Sequence, residues 1–152
     1  MAYANNPRLI SSGNQSVGEM DYAGEALTQS FLVGELVYKD ASGQWTACAS
    51  DATVIWGQAR QAATGTQGTS LGVQRIMPHD KVEFVCSTTV TAAHEGIKYG
   101  IVVASNVHKL DLAEVTAESF TLVEGVKDVY GNYTTRAICS IIPTVAQASS
   151  GT

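Results

Sequence analysis

The 152-residue sequence is short of charge, and what charge it has is mostly negative. Asp, Glu, Lys and Arg make up 15% of the chain and the net charge is −5. No cluster of Lys and Arg interrupts that balance, so the basic surface on which phosphate binding depends is missing and nucleic acid is not an expected partner. Long apolar runs are also missing: none approaches the roughly 20 residues that span a bilayer. The opening Met1-Ala2-Tyr3-Ala4-Asn5-Asn6-Pro7 lacks the basic start and apolar stretch of a signal peptide. The expectation is a protein made in a cytoplasm, with no membrane partner. Cysteine occurs only at Cys48, Cys86 and Cys139. An odd number at wide spacing excludes a complete set of internal disulfides and lacks the paired spacing of a zinc site. Reduced thiols in a core are the simpler reading.

What is present favours β-structure. Gly, Thr, Val, Ala and Ser are abundant, and 152 residues suffice for one domain that buries about two-thirds of its unfolded surface. The chain is organised around Gly34-Glu35-Leu36-Val37-Tyr38-Lys39-Asp40-Ala41-Ser42-Gly43-Gln44-Trp45, which reads as a strand, a tight turn and a returning strand. Leu36 and Tyr38 share one face and Val37 and Lys39 the other, while Asp40 to Gly43 supply turn formers. Later strands are expected at Val54 to Arg60, where Gly57 marks a bulge or a close backbone approach, and at Lys81 to Cys86, Tyr99 to Val103, Phe120 to Gly125 and Arg136 to Ile142. Asp128 to Tyr133 carries the residues of a further hairpin, Thr88 to Gly96 is either a strand end or a short helical turn, and Pro143 ends the last strand. The expected core includes Leu36, Tyr38, Trp56, Val82, Phe84, Val102, Leu122 and Ile141.

Three segments fall outside this pattern. Residues 1 to 18 are polar, with Leu9, Ile10 and Val17 as scattered aliphatic points, and read as an N-terminal arm outside a β domain of residues 19 to 145. Such an arm either pairs with a partner surface or frays. Residues 61 to 72 carry three glycines and no charge and read as a long loop, a second candidate contact with Thr64, Gly65, Gln67, Gly68 and Leu71 at its centre. Residues 146 to 152 read as a disordered tail.

No catalytic constellation accompanies these elements. His79, His94 and His108 each lie near a carboxylate but not near one another, so they read as solvated turn residues, and no metal or other cofactor is expected. Met20-Asp21-Tyr22-Ala23-Gly24-Glu25 resembles one motif of the trimeric dUTP pyrophosphatases. That family's Gly-Arg-Ser-Ser loop and its glycine-rich, aromatic closing segment are absent and the motif stands too early, so the match reads as chance. No Gly-x-Ser-x-Gly elbow, P-loop or paired Cys and His replaces it.

Taken from residue 30 to 142, the order of segments is similar to that of the capsid decoration (cement) proteins of tailed bacteriophages. The resemblance is carried by Gly34 to Asp40 with Ser42 to Trp45, by Val54-Ile55-Trp56-Gly57-Gln58-Ala59, by Arg75-Ile76-Met77-Pro78-His79-Asp80-Lys81-Val82-Glu83-Phe84 and by Arg136-Ala137-Ile138-Cys139. It implies an all-β domain, a small β-barrel or β-tulip-like sandwich with an extended N-terminal arm. It also implies a non-enzymatic virion protein on the outer surface of an icosahedral head, binding and bridging the major capsid protein. A homo-oligomer is implied, with a trimer favoured. The arm would make the contact, through Asn5, Pro7, Arg8, Leu9, Ile10 and Val17. Another virion component, such as a head-fibre base, a tail-tube part or a tail-spike domain, is the alternative within the same class. A small trimeric β-barrel enzyme of the dUTP pyrophosphatase type is the alternative outside it.

Overall fold

The computed structural model describes residues 5–10 and 20–147. Its strands are β1 (Arg8–Ile10), β2 (Met20–Gly24), β3 (Leu36–Lys39), β4 (Trp45–Ala47), β5 (Gly57–Ala59), β6 (Ser70–Arg75), β7 (Lys81–Val85), β8 (Lys98–Ala104), β9 (Val107–Asp111), β10 (Phe120–Lys127) and β11 (Tyr133–Ile141), and a 3-10 turn at Ala92–His94 lies between β7 and β8. The fold is all-β. Six strands form one antiparallel sheet in the order β1-β7-β11-β10-β8-β9, and five form a second in the order β2-β6-β5-β3-β4. The first sheet curls into a half-barrel, since an isolated bridge between Cys86 and Leu110 brings the end of β7 back to β9. In the second, a bridge between Glu25 and Trp45 joins the far end of β2 to the start of β4.

Turn chemistry explains the β3–β4 and β10–β11 hairpins, which share one pattern. Asp40 Oδ1 accepts from Ser42 N–H and Gln44 N–H at 2.8 and 3.0 Å, and Gly43 takes φ +74°. Asp128 Oδ1 accepts from Tyr130 N–H and Asn132 N–H at 2.9 and 3.0 Å, and Gly131 takes φ +81°. An aspartate that replaces missing backbone partners, followed by a residue free to turn left-handed, is enough to reverse the chain.

β3 lies between two hydrophobic clusters. Leu36 belongs to the larger one, with Val82, Phe84, Ile101, Leu110, Phe120, Leu122, Cys139 and Ile141, inside the curled sheet. Val37 belongs to the smaller one, with Phe31, Trp45, Trp56, Leu71 and Val73. The period-2 alternation therefore decides which core each side chain enters. Phe84 and Phe120 meet edge to face at 4.6 Å between centroids, and Trp45 and Trp56 do so at 5.9 Å. Six of the eight expected core residues are buried, whereas Tyr38 and Val102 are half-buried. Tyr38 packs at the margin of the larger cluster, and Val102, next to the fully buried Ile101, lies on the opposite face of β8.

The expected domain limits shift at both ends. Residues 8–10 are not free of the domain: Arg8, Leu9 and Ile10 pair with Glu83, Val82 and Lys81, and Leu9 packs on the larger cluster. Residues 1–4 and 11–18 of the expected arm lie outside the described residues. Ala146 and Gln147, placed in the expected tail, are tied to the domain: Ala146 bridges to Ile55, and the Gln147 side chain both accepts from Lys39 N–H at 2.9 Å and donates to Lys39 O at 2.8 Å, while residues 148–152 lie outside the described residues. The loop expected over 61–72 ends at residue 69, since β6 begins at Ser70. Thr88 to Gly96 resolves into the 3-10 turn.

Gly57 is a close approach and not a bulge. A Cβ there would stand 2.0 Å from Gln74 O, with no flexible side chain to yield. Gly57→Ala should therefore lower the stability measured by urea unfolding by about 3 kcal/mol or more. Gly43→Ala, which meets nothing within 4 Å, should cost only about 1 kcal/mol for its positive φ. All three cysteines are buried and free. Burial raises each thiol, Cys86 up to about 12. A thiol reagent at pH 8 should find three thiols after denaturation and almost none promptly in the native protein.

Candidate functional site

The residues expected to make contacts fall into two groups with different environments. In the N-terminal segment, Asn5 is exposed, Pro7 is buried, Arg8 is exposed on β1, and Leu9 and Ile10 are half-buried. Val17 lies outside the described residues. Asn6, which the sequence did not single out, is buried and anchors this segment: its amide donates to Asn106 O at 2.9 Å and its Oδ1 accepts from His108 N–H at 2.8 Å. Gln58 Nε2 donates to Pro7 O and also to Gly34 O. The segment is thus tied to both sheets, and β1 is the outermost strand of its sheet.

The second group is the loop before β6. Thr64, Gly65, Gln67 and Gly68 are exposed, as a contact loop requires. Leu71 is not available to a partner. It is 3% exposed and sits in the smaller core, because the strand starts at Ser70 and alternation turns Leu71 inward. The loop is held by the carboxylate of Glu25, which accepts from Thr64 N–H at 2.9 Å, Thr64 Oγ1–H at 2.8 Å and Gly65 N–H at 2.5 Å, while Glu25 O accepts from Gly68 N–H at 2.8 Å. Burial pushes the Glu25 carboxyl upward, but these donors outweigh it and hold it below the usual 4.5.

The enzyme-like fragment around residue 21 has the same kind of employment. Asp21 Oδ2 accepts from Trp56 Nε1–H at 2.9 Å, and Glu25 is the loop anchor. Among the described residues no group of three or more His, Cys, Asp or Glu is placed to hold a metal ion, and no helix is long and apolar enough to cross a membrane. His108 is fully buried, not solvated as a turn residue would be. Its Nε2 lies 3.1 Å from Glu35 Oε1, and Glu35 Oε2 accepts from Leu32 N–H at 2.6 Å and Asn106 Nδ2–H at 2.8 Å. Burial raises the Glu35 carboxyl, yet the bonds from His108, Leu32 and Asn106 together bring it below its ordinary value.

Where the N-terminal segment meets both sheets, a cleft of about 460 Å³ opens, with Arg8, Arg60 and Arg136 on its walls beside Glu83, Pro7 and Gln58. Glu83 bridges two of the arginines, 3.4 Å from Arg8 Nη2 and 3.1 Å from Arg136 Nη1. Arg60 Nε–H and Nη2–H both donate to Gln74 Oε1. Of these arginines only Arg8 was a sequence candidate, and the convergence of the others has no signature in spacing, since it depends on strand pairing across residues 8, 60, 83 and 136.

No family model matches the chain, and no curated protein is significantly similar to it. The site consists of an edge strand tied down by buried amides, a pinned polar loop, and a basic cleft on an acidic chain.

The carboxylate anchors set an acid limit to stability. Glu95 is held down by Gly125 N–H and the Tyr133 hydroxyl, and Glu114 by the Thr116 hydroxyl and by backbone N–H groups, to about 2. In each of these four glutamates the folded value is lower than the unfolded one, so the contribution is complete above pH 4.5 and disappears as pH falls toward the folded values. Urea midpoints should be flat from neutral pH down to about 5 and fall below it. Glu25→Gln should lower the midpoint at pH 7, flatten the acid limb and accelerate amide exchange of Thr64 and Gly65 by about tenfold or more, as expected for a lost charge-assisted anchor.

Proposed function

We propose that the protein is a structural, non-catalytic component of a bacteriophage virion that binds the outer surface of an icosahedral capsid and stabilises it by bridging subunits of the major capsid protein. The observation that carries this reading is the open edge of β1. Among the described residues it is the terminal strand of the six-stranded sheet, paired on one side only, with β7. An exposed strand edge is a template for pairing with another chain, and an extended contact of this kind needs no reactive group. The order of segments shared with decoration proteins, described above, points the same way. In this reading the curled sheet serves as the barrel or β-tulip of such proteins, and residues 1–18 include the contact segment.

Two further features support a binding role over a catalytic one. The buried carboxylates Glu25 and Glu35 are occupied in fixing backbone, with every oxygen accepting a hydrogen bond or facing His108. The β10–β11 hairpin carries Val129 and Tyr130, 92% and 86% exposed, at its tip. A protein that binds the expanded shell more tightly than the opened one stabilises it by mass action. Copies joined in an oligomer would gain from the resulting effective concentration, for which a trimer is proposed.

Co-sedimentation with expanded and unexpanded empty capsids tests this reading. Decoration of the expanded shell, and a solution mass three times the 16.0 kDa of the chain, are expected. Failure to sediment with either form overturns the proposal. Because Asn6 and Leu9 are built into the domain, deleting residues 2–17 should lower the melting temperature as well as remove binding, so the deletion has to be judged at a temperature where the variant is folded.

A further inference from the structure

We infer that the arginine-lined cleft beside β1 takes an extended acidic segment of a partner protein, with two carboxylates two residues apart facing the guanidinium groups. The inference deepens the proposed function and relies on it for the kind of partner. Its own basis is the charge, shape and position of the cleft.

The chain has nine Lys and Arg residues and a net charge of −5, yet Arg8, Arg60 and Arg136 converge on one hollow. Among the described residues Glu83 is the one carboxylate on its walls, so two positive charges remain in excess there. Among the described residues no carboxylate lies within ion-pair distance of Arg60, whose two bonded N–H groups go to the neutral Gln74 Oε1. Arg136 is fixed by Glu83 and Arg60 by Gln74, so two of the three forks are oriented before a ligand arrives, which lowers the entropy lost on binding. Guanidinium groups suit planar carboxylates, which they meet with paired N–H bonds.

Size and lining narrow the ligand. A hollow of about 460 Å³ is in the range of sites for whole small molecules and exceeds what one carboxylate or phosphate fills. Among the described residues no aromatic ring stands on its walls, so a nucleobase would find no stacking platform there. What does adjoin it is a strand edge: Arg8 belongs to β1, whose outer side has no strand partner among the described residues. A segment added to that edge presents alternate side chains to the same face about 7 Å apart. Two acidic residues at such positions match the excess charge.

The test is a titration of the full-length protein with two blocked peptides, acetyl-Val-Glu-Val-Glu-Val-amide and its counterpart with both Glu replaced by Gln, alongside inorganic phosphate and adenosine monophosphate. The glutamate peptide should bind, shift the arginine side-chain NMR signals, and weaken about tenfold or more between about 0.02 and 0.3 M salt. The glutamine peptide, phosphate and the nucleotide should each bind at least about tenfold more weakly. Arg60→Ala should weaken the glutamate peptide about tenfold, and Arg60→Lys, which keeps charge but not the fork, should recover only part of that loss. Equal binding of the two peptides, phosphate binding as tight as the peptide, or an Arg60→Ala variant that is folded and unimpaired overturns the inference. Capsid co-sedimentation read in parallel keeps the two claims apart. Decorated capsids with no peptide binding overturn the acidic segment alone, whereas peptide binding without decoration supports the cleft and overturns the capsid reading.

Discussion

The strand from Leu36 to Lys39 is the layer on which both halves of the molecule depend. Leu36 enters the core of the curled six-stranded sheet and Val37 the core of the five-stranded one, and both are fully buried. The Lys39 ammonium lies over the rings of Trp45 and Trp56, at 5.1 and 4.2 Å from their centroids, and its backbone is held from both sides by the Gln147 amide. A truncation such as Leu36→Ala removes methyl groups from a site that cannot collapse without disturbing the other core, which places it among the costly large-to-small changes of about 2–5 kcal/mol.

Around that layer, polar side chains do work usually left to backbone ladders. Short strands such as β4 and β5, each of three residues, leave many N–H groups in the loops without ladder partners. Carboxylates supply them: Glu25 for the loop before β6, Glu35 for Leu32, Asp80 for Met77 N–H at 2.9 Å, and Asp40 and Asp128 for the hairpins. This explains how a chain with so little charge contains several buried acids. They are structural acceptors: burial pushes the Glu25 and Glu35 carboxyls up, and the N–H and O–H groups around these two outweigh it and hold both below the usual value.

Local features were legible in the sequence because they are set by neighbours along the chain. The Asp40 to Gly43 turn and the alternation at Lys81 to Cys86 needed no knowledge of pairing, whereas Gly57 read equally as a bulge or a close approach until its pairing with β6 decided between them. Burial of Glu25, Glu35 and His108 was not legible, since each is buried by segments remote in sequence, as His108 is by Glu35 and by Asn6. The same applies to residues 5–10: polar composition suggests an arm, but Asn6 is polar because it satisfies backbone groups of the β8–β9 turn. Leu71 was placed in a loop because glycines flank it, although Gly72 lies within a strand, where its hydrogen atom gives way to the Met20 and Tyr22 side chains. The cleft was the least legible of all, since Arg8, Arg60, Glu83 and Arg136 meet only after both sheets have formed.

Among the described residues the scaffold has an unpaired strand edge beside a basic hollow, and the proposed capsid contact rests on these two features. The most direct measurement is a cryo-electron microscopy reconstruction of expanded capsids incubated with the protein. Density for both sheets on the outside of the shell, with β1 against a strand of the major capsid protein, is the expected result. A bare shell, or a molecule attached with β1 facing solvent, would contradict it.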